Sequence, residues 1–396
     1  MIPPDDTEYV IHAKKFASMA REFPKRGLAV AEPLRVVDNA FITVKNGRVE
    51  KISSRRPPWR LKFIEIDSGY LTPPLVNAHT HLQLSWLKNR LELGRGFATW
   101  LKSLVPILLK TKNFEASRAR EAARKAVEEL LAGGALFVGD IGGSIPGALT
   151  FISRETNNRS MIARLFCERF GWEKCDDVWP SRCRDEIKDL INAAPCGHAL
   201  YSTSPAALME TRRWCRAHGL PFSIHLAESI EEDLLLLDGA GELCEYYRDK
   251  VLPSDWTPPG KKPAEYAASL GLLGAGSLAV HGVRLSGRDL KLLATSGCAL
   301  CLCPRSNASI NVGLAPFKEA LESDVLLCLG TDSLASCPDL DARRDAVYLR
   351  EKFDFPPAAL IRMLTVNGAA ALGFDYRRCQ IREGYKASFA RVENLD

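Results

Sequence analysis

Two histidines separated by one residue, His79 and His81, follow the apolar run Leu75-Val-Asn-Ala78. Side chains alternate faces along a strand, so both imidazoles point the same way. Paired neutral imidazoles at the C-terminal end of a strand are a natural beginning for a metal site. The pair alone is weak evidence, since two polar residues at a strand end give the same pattern. The chain supplies more. His225 lies near the end of Pro221-Phe-Ser-Ile-His-Leu-Ala-Glu228, and Glu228 closes that segment. His281 ends Ser277-Leu-Ala-Val-His281, and Asp332 ends Asp324-Val-Leu-Leu-Cys-Leu-Gly-Thr-Asp332.

These residues need elements that bring them to one place. From Leu71 onward, apolar strand-like runs alternate with helical periods. The first strand carries His79 and His81. Helices are predicted over Phe97–Lys110 and Phe114–Leu131 from their apolar spacing. Further strands are predicted at 136–140, 161–168, 198–203, 221–228, 277–282, 298–303 and 324–332. Helices such as Ala206–His218 and Leu285–Thr295 separate them. Eight strands, each followed by helix, predict an α/β fold of the (β/α)8 TIM-barrel class. A doubly wound open sheet is the rival, but no glycine-rich phosphate loop follows the first strand.

Chemistry in such barrels sits at the C-terminal strand ends. Four of the seven histidines fall at these ends together with Asp332, which reads as a metal site. The other three have ordinary explanations: His12 in a β-rich arm, His198 starting the fourth strand at the opposite rim, and His218 closing a helix. The arm, from about Tyr9 to Asp67, contains a hairpin turning at Lys45-Asn-Gly-Arg48.

The chain has 396 residues, 46% hydrophobic and 26% charged, which is ordinary globular usage. Its net charge of +5 is mild, and no Lys/Arg block is interleaved with aromatics, so nucleic-acid binding is not expected. The acidic start Met1-Ile-Pro-Pro-Asp-Asp6 lacks an apolar h-region, and no stretch approaches the length of a membrane span. A cytoplasmic protein is expected. The 12 cysteines, all from Cys167 onward, are then reduced and mostly buried. Cys298, Cys301 and Cys303 read as a buried strand, because no second Cys/His cluster of zinc-finger spacing accompanies them.

Pro74-Leu-Val-Asn-Ala-His-Thr-His81, Ile224-His-Leu-Ala-Glu228, Ala279-Val-His-Gly282, Cys303-Pro-Arg-Ser-Asn307 and Leu329-Gly-Thr-Asp-Ser333 resemble the amidohydrolase superfamily. The similar branch holds the cytosine, guanine and S-adenosylhomocysteine deaminases and the chlorohydrolases. The resemblance covers nearly the whole chain. It implies a small β-sandwich built from both chain ends, residues 1–70 and 375–396, flanking a barrel over residues 71–374.

By that resemblance His79, His81, His225 and Asp332 bind one divalent metal per chain, zinc or else iron. Three imidazoles and a carboxylate suit either ion. Such an ion lowers the pKa of a water toward about 7. Asp332 accepts its proton, Glu228 acts as proton shuttle, and His281 orients the attacking water. A carboxylate at Glu228 is also what the dipole at a helix start favours. Binuclear relatives need a bridging Lys or Glu at the end of the fourth strand, where this chain reads Tyr201-Ser-Thr-Ser204. Many of these deaminases have His-x-Pro there, and Thr203-Ser-Pro205 is a departure.

Gln83, Trp86 and Trp100 are further candidates for the pocket, the tryptophans as an aromatic wall or simply as packing. Arg164 and Glu168 share a strand face and either reach the ligand or pair with each other. Thr203 and Asn307 are also candidate substrate contacts. Gly94-Arg-Gly-Phe97 reads as a loop over the site. The expected function is hydrolytic deamination of a purine-like heterocycle or nucleoside derivative, with some likeness to aminodeoxyfutalosine deaminases. Hydrolysis of a cyclic amide or chloro-heterocycle, or a non-catalytic ligand-binding barrel, are the alternatives. The resemblance also implies a homodimer.

Overall fold

A computed structural model describes residues 8–25, 35–58, 60–111, 114, 117–172, 177–180, 184–188, 190–248 and 250–396. The chain ends form one five-stranded sheet, ordered β13-β4-β1-β2-β3. Its strands are β1 (Tyr9–Ala17), β2 (Val36–Lys45), β3 (Arg48–Ser53), β4 (Lys62–Thr72) and β13 (Ala390–Val392). The β2–β3 hairpin turns through Asn46 and Gly47, both with positive φ, as a two-residue turn between twisted strands requires. Tyr9, Ile11, Phe16, Ile42, Val44 and Leu71 make a core of their own beneath this sheet.

The barrel strands are β5 (Leu75–Thr80), β6 (Ala135–Gly142), β7 (Ile162–Arg169), β8 (Ala193–Gly197), β9 (Phe222–Leu226), β10 (Ser277–His281), β11 (Ala299–Leu302) and β12 (Leu326–Leu329). Ladders join β5 through β8 and β9 through β12, and every pair is parallel. Helices cover the outside, so strands such as β5, β9 and β10 are buried along their whole length. The predicted helix over Phe97–Lys110 forms as expected. The next helix runs over Ser117–Ala132.

The two seams of the barrel close through residues of the candidate site. Single parallel bridges pair Ala199 with His225, between β8 and β9, and Thr80 with Asp332, between β5 and β12. Asn77 reinforces the second seam. Its amide donates to Thr331 Oγ1 at 2.8 Å, and its Oδ1 accepts from Thr331 N at 3.2 Å.

The fourth strand is corrected. It lies at Ala193-Ala-Pro-Cys-Gly197, before the predicted 198–203. Pro195 and Gly197 read as turn punctuation, but the strand needs both faces lean. A side chain at Gly197 would collide with Leu208 and touch Phe222. The consequence is functional. His198 follows the strand directly and stands at the same rim as His79 and His225.

The expected cysteine chemistry stands for the described residues. Ten cysteines are buried and form no disulfide, and Cys298, Cys301 and Cys303 flank or lie within β11. No helix among the described residues is long and apolar enough to cross a membrane.

Candidate metal centre and active site

His79 and His81 leave the end of β5 on one side. The turn after them is held by Asp140 at the end of β6, whose Oδ1 accepts from Leu82 N at 2.7 Å and Thr80 Oγ1 at 3.1 Å. His225 comes from β9. Its backbone N–H and its ring Nδ1–H both reach the carbonyl of His198, at 2.9 and 3.0 Å. With the Nδ1 proton committed there, Nε2 carries the lone pair that faces the centre. Asp332 enters after β12 in a left-handed conformation with φ 62°. Its N–H donates to His79 O at 3.0 Å, which fixes it against β5.

Just before it, Gly330 has no room for a side chain. A Cβ there would sit 2.7 Å from His79 Cβ and 2.9 Å from Cys301 Sγ. The Gly-Thr-Asp sequence is thus a close-approach device that lets β12 pass beneath His79.

The four groups converge. His81 Nε2 and His225 Nε2 face each other at 3.2 Å, and Asp332 Oδ1 is 3.7 Å from His79 Nε2 and 3.5 Å from His81 Nε2. A tetrahedral ion with metal–nitrogen bonds of about 2.0–2.1 Å separates its nitrogens by about 3.3 Å. The observed spacing between the two Nε2 atoms matches. His79 gives a second indication, because both of its ring nitrogens are buried and lack any hydrogen-bond partner. Buried polar atoms are seldom left so, and a cation is what this set lacks. The residues therefore fit a divalent metal.

Electrostatics agree. Burial holds His79 and His225 below the usual imidazole range and takes His81 down to about 3. Neutral imidazoles are the form that ligates. Asp332 is held below the usual carboxyl range despite its burial, by His81, His281 and two hydroxyl donors. Those donors are Ser306 Oγ at 2.8 Å and Ser336 Oγ at 2.7 Å, both on Oδ2, which leaves Oδ1 turned to the histidines.

Glu228 and His281 stand beside this cluster. After β9, Ala227 takes a left-handed turn with φ 54°, and the next helix, Ile230–Asp238, begins at its N-cap Ser229. Glu228 is thus swung off the strand axis, and its backbone N–H is held by Glu232 Oε2 at 2.9 Å. His281 also has a positive φ, 76°. Non-glycine residues in this region at two adjacent strand ends are strain kept at a site. His281 Nε2 lies 3.5 Å from Glu228 Oε1, and its Nδ1 lies 2.9 Å from Asn307 Oδ1. Burial takes His281 down to about 4 and, with Asp332 and Glu232 nearby, pushes Glu228 well above the usual carboxyl range.

The weaker candidates sort by geometry. Asn307 is at the site, but it touches His281. Gln83 is buried, with Oε1 accepting from Ile145 N at 3.2 Å, and braces the loop after β6. Trp100 donates its indole N–H to Ala335 O at 3.0 Å, in the loop that follows Asp332. Trp86 is half-buried against the core, under Arg90. Thr203 is buried, with its hydroxyl on Arg169 O at 2.9 Å.

Arg164 is a correction: it lies at the start of β7, and its guanidinium donates to Leu372 O and Asn192 O at the N-terminal end of the barrel. It neither pairs with Glu168 nor reaches the metal cluster, because four residues of strand separate the two by the depth of the barrel. The loop Gly94–Phe97 is tied down, with Gly94 N on Ser309 O and Gly96 N on Ile310 O.

Sequence reasoning missed His198. Its ring packs against His225 at 5.1 Å between centroids, and a nitrogen of each, with the Glu168 carboxylate, lie within 4.8 Å of one another. Tyr201 and Tyr247, stacked at 5.8 Å, and Phe97, 6.2 Å from Tyr201, form the aromatic wall nearby. An HxxYS run directly after a Gly-ended strand was the available signal.

A model of the amidohydrolase family matches residues 70–394. The chain belongs to the amidohydrolase family. Within that family it is 27% identical, over 93% of its length and 83% of the relative's, to a 5-methylthioadenosine/S-adenosylhomocysteine deaminase of Halobacterium salinarum. Its fold is similar to an aminofutalosine deaminase from Helicobacter pylori solved with methylthio-coformycin. The TM-score is 0.75 at 20% identity, over 96% of this chain and 91% of that one. It is similar also to an adenosine deaminase from Xanthomonas campestris with bound zinc. There the TM-score is 0.72 at 22% identity, over 98% and 85% of the two chains. The amidohydrolase barrel with a small sheet domain is therefore the fold of this chain, as the sequence motifs implied.

Proposed function

We propose that this amidohydrolase is a metal-dependent aminohydrolase, which removes ammonia from a purine-like heterocycle or nucleoside. One ion per chain, zinc before iron, is held by His79, His81, His225 and Asp332. The observation that carries the reading is the juxtaposition of that cluster with Glu228 and His281, 3.5 Å apart at neighbouring strand ends. The deaminases among its relatives support the same reaction class.

A divalent ion bound there supplies Lewis acidity that brings a water's pKa toward about 7. The chain's own groups do the rest. Asp332, anchored through Oδ2 by two serine hydroxyls, accepts the proton of the attacking water on Oδ1. Glu228 carries a proton at neutral pH because burial disfavours its charged form. It gives that proton to the ring nitrogen next to the attacked carbon. The proton held by Asp332 goes to the departing amine, and the adduct's hydroxyl returns a proton to Glu228 as its C=O bond forms and the C–N bond breaks, so water adds and ammonia leaves with atoms balanced. His281, its Nδ1–H on Asn307, presents Nε2 toward Glu228 and the attacking water. Burial of His79, His81, His225, Asp332, Glu228 and His281 keeps bulk water from competing.

The same reading makes the enzyme a cytoplasmic homodimer acting on a small molecule. The test is ammonia release across a panel of aminopurines, their nucleosides and aminopyrimidines with metal-loaded protein. Release from a 6-aminopurine nucleoside is expected. Failure across the panel, with chloride or ring-opened product from other heterocycles, would overturn deamination.

A further inference from the structure

Glu168 ends β7 at the rim, and the chemistry above does not use it. Its side chain is 5% exposed. Oε2 is 3.3 Å from Ser144 Oγ, and Oε1 is buried with no hydrogen-bond partner. His225 Nδ1 is 3.9 Å away, too far for a hydrogen bond, and its proton is already committed to the His198 carbonyl. Glu168 therefore does not orient the metal ligand. A second buried orphan is the Tyr247 hydroxyl, whose ring stacks on Tyr201. A buried polar group left unsatisfied is costly to the folded protein. Two of them on one side of the metal cluster mark a place where a ligand supplies the missing partners.

We propose that Glu168 is a specificity-determining residue that hydrogen-bonds a hydroxyl of the substrate, so that the enzyme acts on hydroxylated nucleosides and not on free bases. The argument rests on the aminohydrolase reading for where the reacting ring lies. A hydroxyl both donates and accepts, so it satisfies Glu168 Oε1 whether or not the carboxyl is protonated. An unsubstituted or halogenated ring offers it nothing. Tyr201, Tyr247 and Phe97 give the apolar body of such a ligand a wall on the same side.

The experiment is calorimetric binding of adenosine, 2′,3′-dideoxyadenosine and 5′-deoxyadenosine to metal-loaded protein. It is done in a Glu228→Gln background, where turnover is expected to be about a hundredfold or more slower. The parent should bind adenosine tenfold or more better than at least one deoxy analogue, and Glu168→Ala should reduce that ratio to near one with metal content unchanged. Glu168→Gln, which keeps the shape and can still bond a hydroxyl, should retain most of the preference. A merely structural role would weaken all three ligands together. Equal affinities in the parent, no binding of any of the three, or an unchanged ratio in Glu168→Ala overturns the proposal. Failure of the aminohydrolase reading shows separately, as hydroxyl-dependent binding without ammonia release by the protein with Glu228 intact.

Discussion

His281 is held between two partners: Asn307 Oδ1 lies 2.9 Å from Nδ1, and Glu228 Oε1 lies 3.5 Å from Nε2. The amide oxygen of Asn307 can only accept, so it fixes the ring proton on Nδ1 and leaves Nε2 as the nitrogen that faces the reaction. Asn307→Ala frees the tautomer and the ring orientation. We expect kcat to fall about tenfold to a hundredfold with metal content unchanged, as for partners that orient catalytic imidazoles. Steady-state kinetics with metal analysis checks this, and an unchanged kcat would remove His281 orientation from the mechanism.

His225→Ala deletes one of the four converging groups and spares the barrel core. Metal per chain should drop from about one to near zero under dialysis, while the circular dichroism spectrum stays native. Retained metal at wild-type level would mean that the ligand set is wrong. Two tightly bound ions in the parent protein would contradict the single centre.

Gly330→Ala tests the close approach beneath His79. The added carbon would meet His79 Cβ at 2.7 Å and Cys301 Sγ at 2.9 Å, both in the packed core. Overpacking of this kind costs about 1–3 kcal/mol, and it displaces the histidine with the most buried ring. A lowered Tm together with weaker metal retention is expected. A variant that keeps both would show that the segment shifts freely.

The metal-free protein should be most stable near mildly acidic pH. Burial raises Asp140 to about 7 and Glu168 and Glu232 to about 8, so the folded state keeps protons that the unfolded chain releases. Their contribution is present below the unfolded carboxyl range and is lost as pH rises through about 8. Burial takes His81 to about 3 and His281 to about 4, so the unfolded chain binds protons that the folded state refuses. That contribution is present above the unfolded imidazole value and is lost as pH falls toward 3. Three raised acids outweigh the two lowered imidazoles, so the acids set the slope from about pH 5 upward. Thermal unfolding of chelator-treated protein should give a Tm that falls as the pH is raised from about 5 to about 9. A Tm that rises steadily to pH 9 would contradict the buried acids.

Much of the candidate site was legible in the sequence because chemistry at strand ends leaves polar residues after apolar runs. His79, His81, His225, His281 and Asp332 are all of that kind. Asn307 was legible as a candidate but not in its role, since only the folded chain brings the loop after β11 to His281. His198 was misplaced because β8 is short, contains Pro195, and ends in a glycine demanded by Leu208 and Phe222. Placing the strand at 198–203 instead of Ala193–Gly197 moved the histidine to the wrong rim. Arg164 misled for the opposite reason: strand parity gives the face of a residue but not its depth along the barrel.

In the proposed reaction, Glu228 moves protons beside a metal held by the histidine cluster. The most direct measurement is ammonia release by Glu228→Gln against the parent protein, on the substrate that the panel identifies, with metal content measured on both. Glutamine keeps shape and hydrogen bonding but cannot cycle a proton. The expected result is equal metal, a similar KM and a kcat lower by about a hundredfold or more. Turnover unchanged at equal metal content would contradict the shuttle, and with it deamination by this site.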